Sequence, residues 1–254
     1  MRKLNRKKVL FGYIIVLVIG FLIGSFLTSD SLDDFNINFQ GNFLKNDLKG
    51  NSNIVAVSGN GFGIIGKVNV DIVDGEGLVL VNTNPFLEAD TQLSAVTAVN
   101  VAKGLTQVNL ENKNVIIDFN VPNINLENQG VVGGPSAGVA MTLAVVAALN
   151  QEEVKDIIVT GAILPNGNIG QVGGIVEKAD IAADTNHTLF IIPKGQGEFI
   201  YYERQVRTRN VRGFNIRNFV LVPKSLDLIE YFQEEKNLTM VEVNNIQDVL
   251  ELAF

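Results

Sequence analysis

Alternation of apolar and polar positions predicts β-strands along most of the chain beyond residue 53. Residues 68–72 alternate strictly, as expected for a strand with one buried face. The glycines at residues 75–77 predict a turn, and the apolar residues 78–81 predict a strand that returns from it. Further strands are predicted at residues 115–122, 156–159, 189–192 and 238–243.

Helical spacing of apolar residues predicts the intervening elements. The segment 135–149 is apolar nearly all round, which predicts a fully buried helix. A second helix follows Asp90 and Thr91, either of which can cap it, and Gly104 can end it. Other helices are predicted at residues 174–185, near 225–236 and from about 246. Strands and helices interleave irregularly, which indicates an α+β or α/β domain.

An uncharged run near the N-terminus has the length of a membrane span. Residues 9–27 are 19 residues without a charge, about 28 Å of helix against a hydrocarbon core of roughly 30 Å. Five basic residues precede the run and three aspartates follow it. This bias predicts a single-pass protein of the cell membrane, with a cytoplasmic N-terminus and the following domain outside. The alternative is a cleaved signal peptide, but the run exceeds the usual apolar region and no clear cleavage site follows.

These observations give a domain organisation. Residues 1–8 form a basic cytoplasmic tail, 9–27 the anchor, 28–52 a polar linker, and 53–254 a folded domain. Within that domain, residues 196–217 hold five arginines with interspersed aromatics and are predicted to be a surface insertion. The arginines could bind an anionic partner or a lipid head group, or they could form a solvated face.

Composition narrows the chemistry. The formal net charge is −7 although the tail is basic, which argues against nucleic acid as a general partner. With no cysteine and one histidine, thiolate metal sites and an H-E-x-x-H site are excluded, and we predict no metal or cofactor. A Ser-His-Asp triad would have to use His187, which lies in a polar segment.

Two nucleotide-binding patterns match one glycine-rich segment. GFGIIGK at residues 61–67 matches both the dinucleotide-binding pattern G-x-G-x-x-G and the P-loop pattern G-x-x-x-x-G-K, and both are rejected. Val68 stands where a P-loop needs a magnesium-binding hydroxyl. The residues that follow alternate like a strand, whereas phosphate binding requires the start of a helix.

Ser136 is the candidate nucleophile. It lies in GGPSAG at residues 133–138, where Pro135 marks the start of the apolar helix and the glycines allow a sharp turn. Free amides and the positive helix end converge there, so an oxyanion would be stabilised. The alternative is that Ser136 only caps the helix.

Lys178 is the candidate general base. On the helix at 174–185 it lies at the margin of the apolar face, away from Glu177, Asp180 and Asp184. Burial would lower its pKa, and a neutral amine could take the proton from Ser136 Oγ. A lysine whose head group reaches water is the alternative.

Several motifs together resemble the proteolytic domain of Lon proteases, including Lon-like serine proteases that lack an ATPase and archaeal ones anchored in the membrane. They are GPSAG at 134–138, VTG at 159–161, GG at 173–174, EK at 177–178 and IIPK at 191–194. The resemblance covers roughly residues 55–194. It implies an α+β fold like the second domain of ribosomal protein S5. It also implies Ser136 and Lys178 as the catalytic residues, with Thr160 and Ala137 in supporting positions.

The chain departs from the family at two points. Many Lon proteases have an acidic residue three positions before the serine, where this chain has Gly133. No ATPase module accompanies the motifs.

The function predicted is therefore an ATP-independent, membrane-anchored serine endopeptidase that cleaves unfolded or flexible protein segments. By resemblance to the Lon rings, a homo-oligomer is also expected. The alternative is a catalytically inactive, membrane-anchored binding or scaffold protein on the same fold.

Overall fold

The computed structural model describes residues 48–122, 131–211 and 214–254, and the side chains of 211, 214 and 216 are excluded from that description. The predicted tail and anchor, and all but the last five residues of the predicted linker, lie outside these ranges. Within them, no helix is long and apolar enough to cross a bilayer.

A seven-stranded mixed sheet forms the centre of the domain. The strands, numbered along the chain, are β1 (Leu48–Val57), β2 (Gly63–Asp74), β3 (Val79–Val81), β4 (Phe86–Leu87), β5 (Lys113–Asn120), β6 (Val131–Val132), β7 (Ile158–Val159), β8 (Ala162–Ile163), β9 (Ile169–Gly170), β10 (Leu189–Pro193), β11 (Glu198–Val211), β12 (Phe214–Asp227) and β13 (Thr239–Val243). The central sheet has the order β13-β10-β7-β1-β2-β5-β3, with both parallel and antiparallel neighbours.

Helices cover both faces of this sheet. They are α1 (Ala89–Thr106), α2 (Gly138–Asn150), α3 (Ile175–Asp184), α4 (Leu228–Lys236) and α5 (Ile246–Ala253), and a 3₁₀ turn, Pro135–Ala137, precedes α2. Successive residues of a strand point to opposite faces. Ile54 accordingly joins the core formed with α1, α2 and α5, whereas Val55 joins the core formed with α3 and α4. The observed class is a mixed α/β structure.

Helix α2 is buried all round, as its sequence predicts. It packs against both α1 and β1, and eleven of its thirteen residues are buried. The approach to β1 is so close at Gly50 that an added Cβ would lie 2.1 Å from the carbonyl oxygen of Ala144. Strand β1 begins at Leu48, so five residues of the predicted linker belong to the sheet.

Two local predictions were wrong. Helix α1 begins at Ala89 with no side-chain cap, and it continues through Gly104 to Thr106, where Gln107 takes a left-handed conformation at φ 56°. Asp90 and Thr91 form hydrogen bonds with Gly134, in the loop before Ser136, and neither caps the helix. Strand β3 does not pair with β2 across the turn; it pairs in parallel with β5 at the sheet edge.

Two other predictions can be compared directly. Residues 61–67 lead into strand β2 and not into a helix, which confirms the rejection of the P-loop. The predicted insertion 196–217 belongs to an antiparallel hairpin formed by β11 and β12, which extends ten residues further, to Asp227. The helix predicted near 225 therefore begins at Leu228.

Candidate active site

The chain turns sharply just before Ser136. Gly134 has φ 87° and ψ 153°, a conformation that favours glycine, and Pro135 occupies the first position of the 3₁₀ turn. The predicted helix at 135–149 thus starts with this turn, and α2 proper begins at Gly138. Ser136 is half-buried and lies at the wall of a cleft.

The backbone of Ser136 is fixed by the segment that follows β7. Its carbonyl accepts hydrogen bonds from the Gly161 amide at 2.9 Å and from Thr160 Oγ1 at 3.3 Å. The Gly161 carbonyl in turn accepts from the Val139 amide at 3.1 Å. These hydrogen bonds fix the position of the start of α2 relative to the end of β7.

The first turn of α1 holds the glycine loop from the other side. Asp90 Oδ1 accepts from the Gly134 amide at 3.1 Å, and Thr91 Oγ1 donates to the Gly134 carbonyl at 3.1 Å. Ser94 Oγ makes a longer contact of 3.4 Å to the Pro135 carbonyl. Sequence reasoning assigned Asp90 and Thr91 only to helix capping, because contacts across more than forty residues leave no local sequence signal.

Gly133, which stands where many Lon proteases have an acidic residue, lies beside the carboxylate of Glu88. A Cβ at Gly133 would lie 2.0 Å from Glu88 Oε2, so a side chain there would have to displace this carboxylate. Glu88 and Asp90 therefore bring two carboxylates to the loop from the start of α1. The loop before Ser136 therefore has two acidic side chains beside it although position 133 itself is a glycine.

Lys178 is buried on α3, with a side chain that is only 3% exposed. Its Nζ donates a hydrogen bond to Thr160 Oγ1 at 3.1 Å. Burial lowers the pKa of Lys178 from 10.5 to about 8, and the negative charge of Glu177 opposes this shift. With this pKa roughly a tenth of the amine is neutral at pH 7 and about half is neutral at pH 8.

Ser136 and Lys178 line one cleft of about 610 Å³, together with Glu177. The cleft walls come from the end of β1, from β6 and the glycine loop, and from the segment before α3. The other lining residues are Ala56, Val57, Ser58, Gly59, Ile64, Val131, Val132, Gly133, Gly134, Pro135, Gln171, Val172, Gly173 and Gly174.

Thr160 connects the two candidate catalytic residues. Its hydroxyl accepts from Lys178 Nζ and donates to the carbonyl of Ser136. Ser136 Oγ itself makes no hydrogen bond to another described residue, so its hydroxyl is free to react. The arrangement places this hydroxyl and a buried amine at the same cleft. No hydrogen bond joins Ser136 Oγ to Lys178 Nζ directly, so proton transfer requires the two groups to come within hydrogen-bond reach when substrate binds.

The remaining predicted residues have clear positions. Ala137 follows Ser136 in the 3₁₀ turn and packs against the larger core. His187 lies outside the cleft: Nε2 is 3.3 Å from Asp156 Oδ1, and Nδ1 is 3.0 Å from Thr185 Oγ1. In the described ranges, no group of three or more histidine and acidic side chains could hold a metal ion.

Comparison with known proteins identifies the family. Residues 43–202 match the Lon protease (S16) C-terminal proteolytic domain, which is more than half of the chain. The chain belongs to this family.

Curated relatives carry the same name. The chain is 26% identical over 156 residues to a Lon protease of Ureaplasma parvum, covering 57% of this chain and 18% of that protein. It is 34% identical over 121 residues to the Lon protease of Buchnera aphidicola, covering 47% and 12%. It is 27% identical over 166 residues to the archaeal Lon protease of Halobacterium salinarum, covering 62% and 23%. In each comparison the matched region spans less than a quarter of the relative's length.

Proposed function

We propose that this chain is an ATP-independent serine endopeptidase, anchored in the cell membrane by residues 9–27 with its catalytic domain outside. Membership of the proteolytic-domain family supports peptide-bond hydrolysis. We also propose, from the same similarity, that the domain has a fold like the second domain of ribosomal protein S5. The observation that carries the proposal is the buried amine of Lys178, with its lowered pKa, at the cleft that Ser136 lines.

In this mechanism neutral Lys178 takes the proton from Ser136 Oγ, and the oxygen attacks a peptide carbonyl. The backbone amides at the start of the 3₁₀ turn and of α2, including that of Ala137, stabilise the negative charge of the oxyanion. Lys178 then returns the proton to the leaving amine, and water hydrolyses the acyl-enzyme. Thr160 orients the Lys178 amine.

Independence from ATP is supported by residues 61–67, whose P-loop-like pattern leads into strand β2. The substrates proposed are flexible or already unfolded protein segments, which can enter the cleft without an unfoldase. A homo-oligomer is proposed from the similarity to Lon proteases.

The test is cleavage of unfolded casein by the full chain in mild detergent, with and without ATP and Mg²⁺, followed by mass spectrometry. Wild type should cleave equally in both conditions, and the Ser136→Ala and Lys178→Ala variants should not. Strict dependence on ATP would contradict the proposed independence. Equal cleavage by Ser136→Ala would contradict the proposed nucleophile, and no cleavage by any folded form would favour the binding or scaffold alternative.

The pH dependence of kcat/KM follows from the pKa of Lys178. Because the base must be neutral, activity is low below the pKa and increases as the amine loses its proton. We expect kcat/KM on a short peptide to rise through an apparent pKa near 8 and to level off above it. A profile that is flat between pH 6.5 and 9.5, with folding verified across the range, would contradict a lysine base.

Replacement of Thr160 by valine tests its positioning role. The change removes the acceptor for Lys178 Nζ and the donor to Ser136, so we expect kcat to fall about 10- to 100-fold with KM little changed. Loss of an acceptor for the ammonium should also move the apparent pKa downward. Thr160→Ser keeps the hydroxyl and should retain most of the activity. Equal effects of both substitutions, or an unchanged pH profile for Thr160→Val, would argue for a merely structural role.

A further inference from the structure

The hairpin of β11 and β12 leaves the domain and returns to it at one point. The Leu228 amide donates to the Gly197 carbonyl at 2.8 Å, which closes the root of the hairpin. Its strands of 14 residues pair with each other and with no strand of the central sheet. At about 3.4 Å per residue each strand is roughly 45 Å long. An isolated two-stranded sheet is marginally stable in water, so a covering partner would stabilise it.

The two faces of the hairpin differ. Directly paired residues lie on the same face, so the register defines an inner face and an outer face. The inner face includes Leu226, which packs against the core beside α4. The outer face, as we define it, consists of Ile200, Tyr202, Arg204, Val206, Thr208, Arg217, Phe219, Leu221 and Pro223.

The outer face is apolar yet open to solvent. Tyr202 and Leu221 are each 65% exposed, and Phe219 is 58% exposed. The guanidinium carbon of Arg204 lies 3.5 Å from the centre of the Phe219 ring. A contiguous exposed face of this kind marks an interaction surface.

The distal part of the hairpin is strongly basic. Residues 204–221 contain five arginines and no acidic residue, in a chain of net charge −7. Arg207, Arg209 and Arg217 are exposed and form no ion pair with a described residue. The register places Arg204 and Arg217 on the outer face, and Arg207 and Arg209 on the inner face. The outer face therefore combines apolar side chains with the positive charges of Arg204 and Arg217 and includes no acidic residue among its nine members, which calls for an anionic and partly apolar partner.

We propose that the outer face docks on the surface of an anionic lipid bilayer. The apolar side chains would enter the boundary between head groups and acyl chains, while the long arginine stems carry their charges to the lipid phosphates. Tyrosine suits such a boundary because its ring is apolar and its hydroxyl polar. A symmetric contact between two copies is disfavoured, because it would bring one arginine cluster against another.

Chain length makes the contact accessible. This inference rests on the proposed anchor: between its end at Leu27 and strand β1 lie 20 residues, which reach at most about 70 Å. A hairpin of roughly 45 Å on a domain so tethered is within reach of the same bilayer. Tethering makes docking intramolecular, so a weak intrinsic affinity is sufficient.

Docking would also orient the active-site cleft. Gln196, just before the hairpin, accepts from the Val172 amide at 3.0 Å and donates to the Val172 carbonyl at 2.6 Å. Val172 lines the cleft. The hairpin root is thus joined directly to one cleft wall, so a docked hairpin would set the distance of Ser136 from the membrane.

The experiment measures the depth of single labelled positions in the reconstituted full chain. Because the chain has no cysteine, Leu221→Cys introduces a unique site for an environment-sensitive fluorophore on the outer face. Asn218→Cys places the same probe on the inner face. Lys103→Cys places it beside β3, at the sheet edge opposite β13. Quenching by nitroxide-labelled lipid is compared in vesicles of neutral lipid and of 30% anionic lipid.

We expect strong quenching at 221 only with anionic lipid, weaker quenching at 218 and none at 103. High salt should abolish the quenching at 221, because it screens the attraction between the arginines and the anionic lipids. Combined replacement of the two outer-face arginines, Arg204 and Arg217, by glutamine should lower the docking equilibrium constant about 25-fold, at roughly fivefold per basic residue. The matched control, Lys67 and Lys103 to glutamine, removes the same charge elsewhere and should leave quenching at 221 unchanged.

Equal quenching at 221 in both lipids, or no quenching there at all, would overturn the proposal. So would quenching that persists in the arginine variant. A shift from oligomer to monomer on Leu221→Asp, without lipid quenching of the wild type, would identify a second copy as the partner instead. Failure of the anchor is distinguished separately, because the chain would then not float with vesicles of neutral lipid, on which the hairpin does not dock. The peptidase proposal is tested by casein cleavage.

Discussion

Lys178→Arg should lower kcat/KM by about 10³-fold or more while leaving the fold intact. General-base catalysis by a positioned side chain contributes roughly 10² to 10⁴ in rate, and arginine stays protonated at every working pH. The lysine amine is buried and its pKa is lowered to about 8, so it can lose its proton; a guanidinium in the same position cannot. Hydrolysis of a short fluorogenic peptide measures the effect.

The matched control is Lys155→Arg, since Lys155 is exposed and its Nζ contacts only the carbonyl of Leu252 in the described structure. Its activity should remain within about twofold of wild type. A Lys178→Arg protein that cleaves at the wild-type rate would exclude Lys178 as the base. If both variants lost activity equally, the loss would reflect the fold and not proton transfer.

Lys178→Met should stabilise the domain by about 3 kcal/mol at pH 7. The folded-state pKa near 8 lies below the unfolded value of 10.5, so folding is penalised while the amine is protonated in the unfolded chain. The penalty is complete below pH 8 and disappears as pH rises towards 10.5. The stabilising effect of methionine should fade over the same interval. Thr160 keeps its donor bond to Ser136, so the substitution leaves no buried hydroxyl without a partner.

Chemical denaturation followed by circular dichroism at pH 7 and pH 10 provides the measurement, with Lys103→Met as the control at an exposed site. The control should change the free energy of unfolding by less than about 0.5 kcal/mol. A destabilised Lys178→Met protein at pH 7, or a gain that is equal at both pH values, would contradict the pKa assigned to Lys178. The expected gain is consistent with active-site residues that lower stability to serve function.

The sequence was most informative where local chemistry determines structure. The all-round apolar segment gave the buried helix α2, and Pro135 after a glycine pair located the turn that positions Ser136. The position of Lys178 at the margin of an apolar helix face left two alternatives, a buried amine and a head group that reaches water, and in the structure the residue is only 3% exposed. In each case a few neighbouring residues carry the whole signal.

Other features depend on contacts between distant segments. Asp90 and Thr91 look like helix caps in the sequence, yet they bind the loop at Gly134, and Glu88 fills the space beside Gly133. Strand β3 follows a turn and still pairs with β5, because pairing depends on the assembled sheet. The hairpin strands lack a deeply buried face, so their alternation carries little information about where β12 ends.

Covalent labelling of the proposed nucleophile tests the central claim most directly. Wild type, Lys178→Met and Ser58→Ala, whose serine lies in the same cleft, are treated at pH 8.5 with a serine-reactive fluorophosphonate and analysed by peptide mass spectrometry. We predict one adduct on Ser136 in wild type and in Ser58→Ala, and at least a tenfold slower reaction in Lys178→Met. Labelling that avoids Ser136, or that proceeds equally fast without Lys178, would contradict the account.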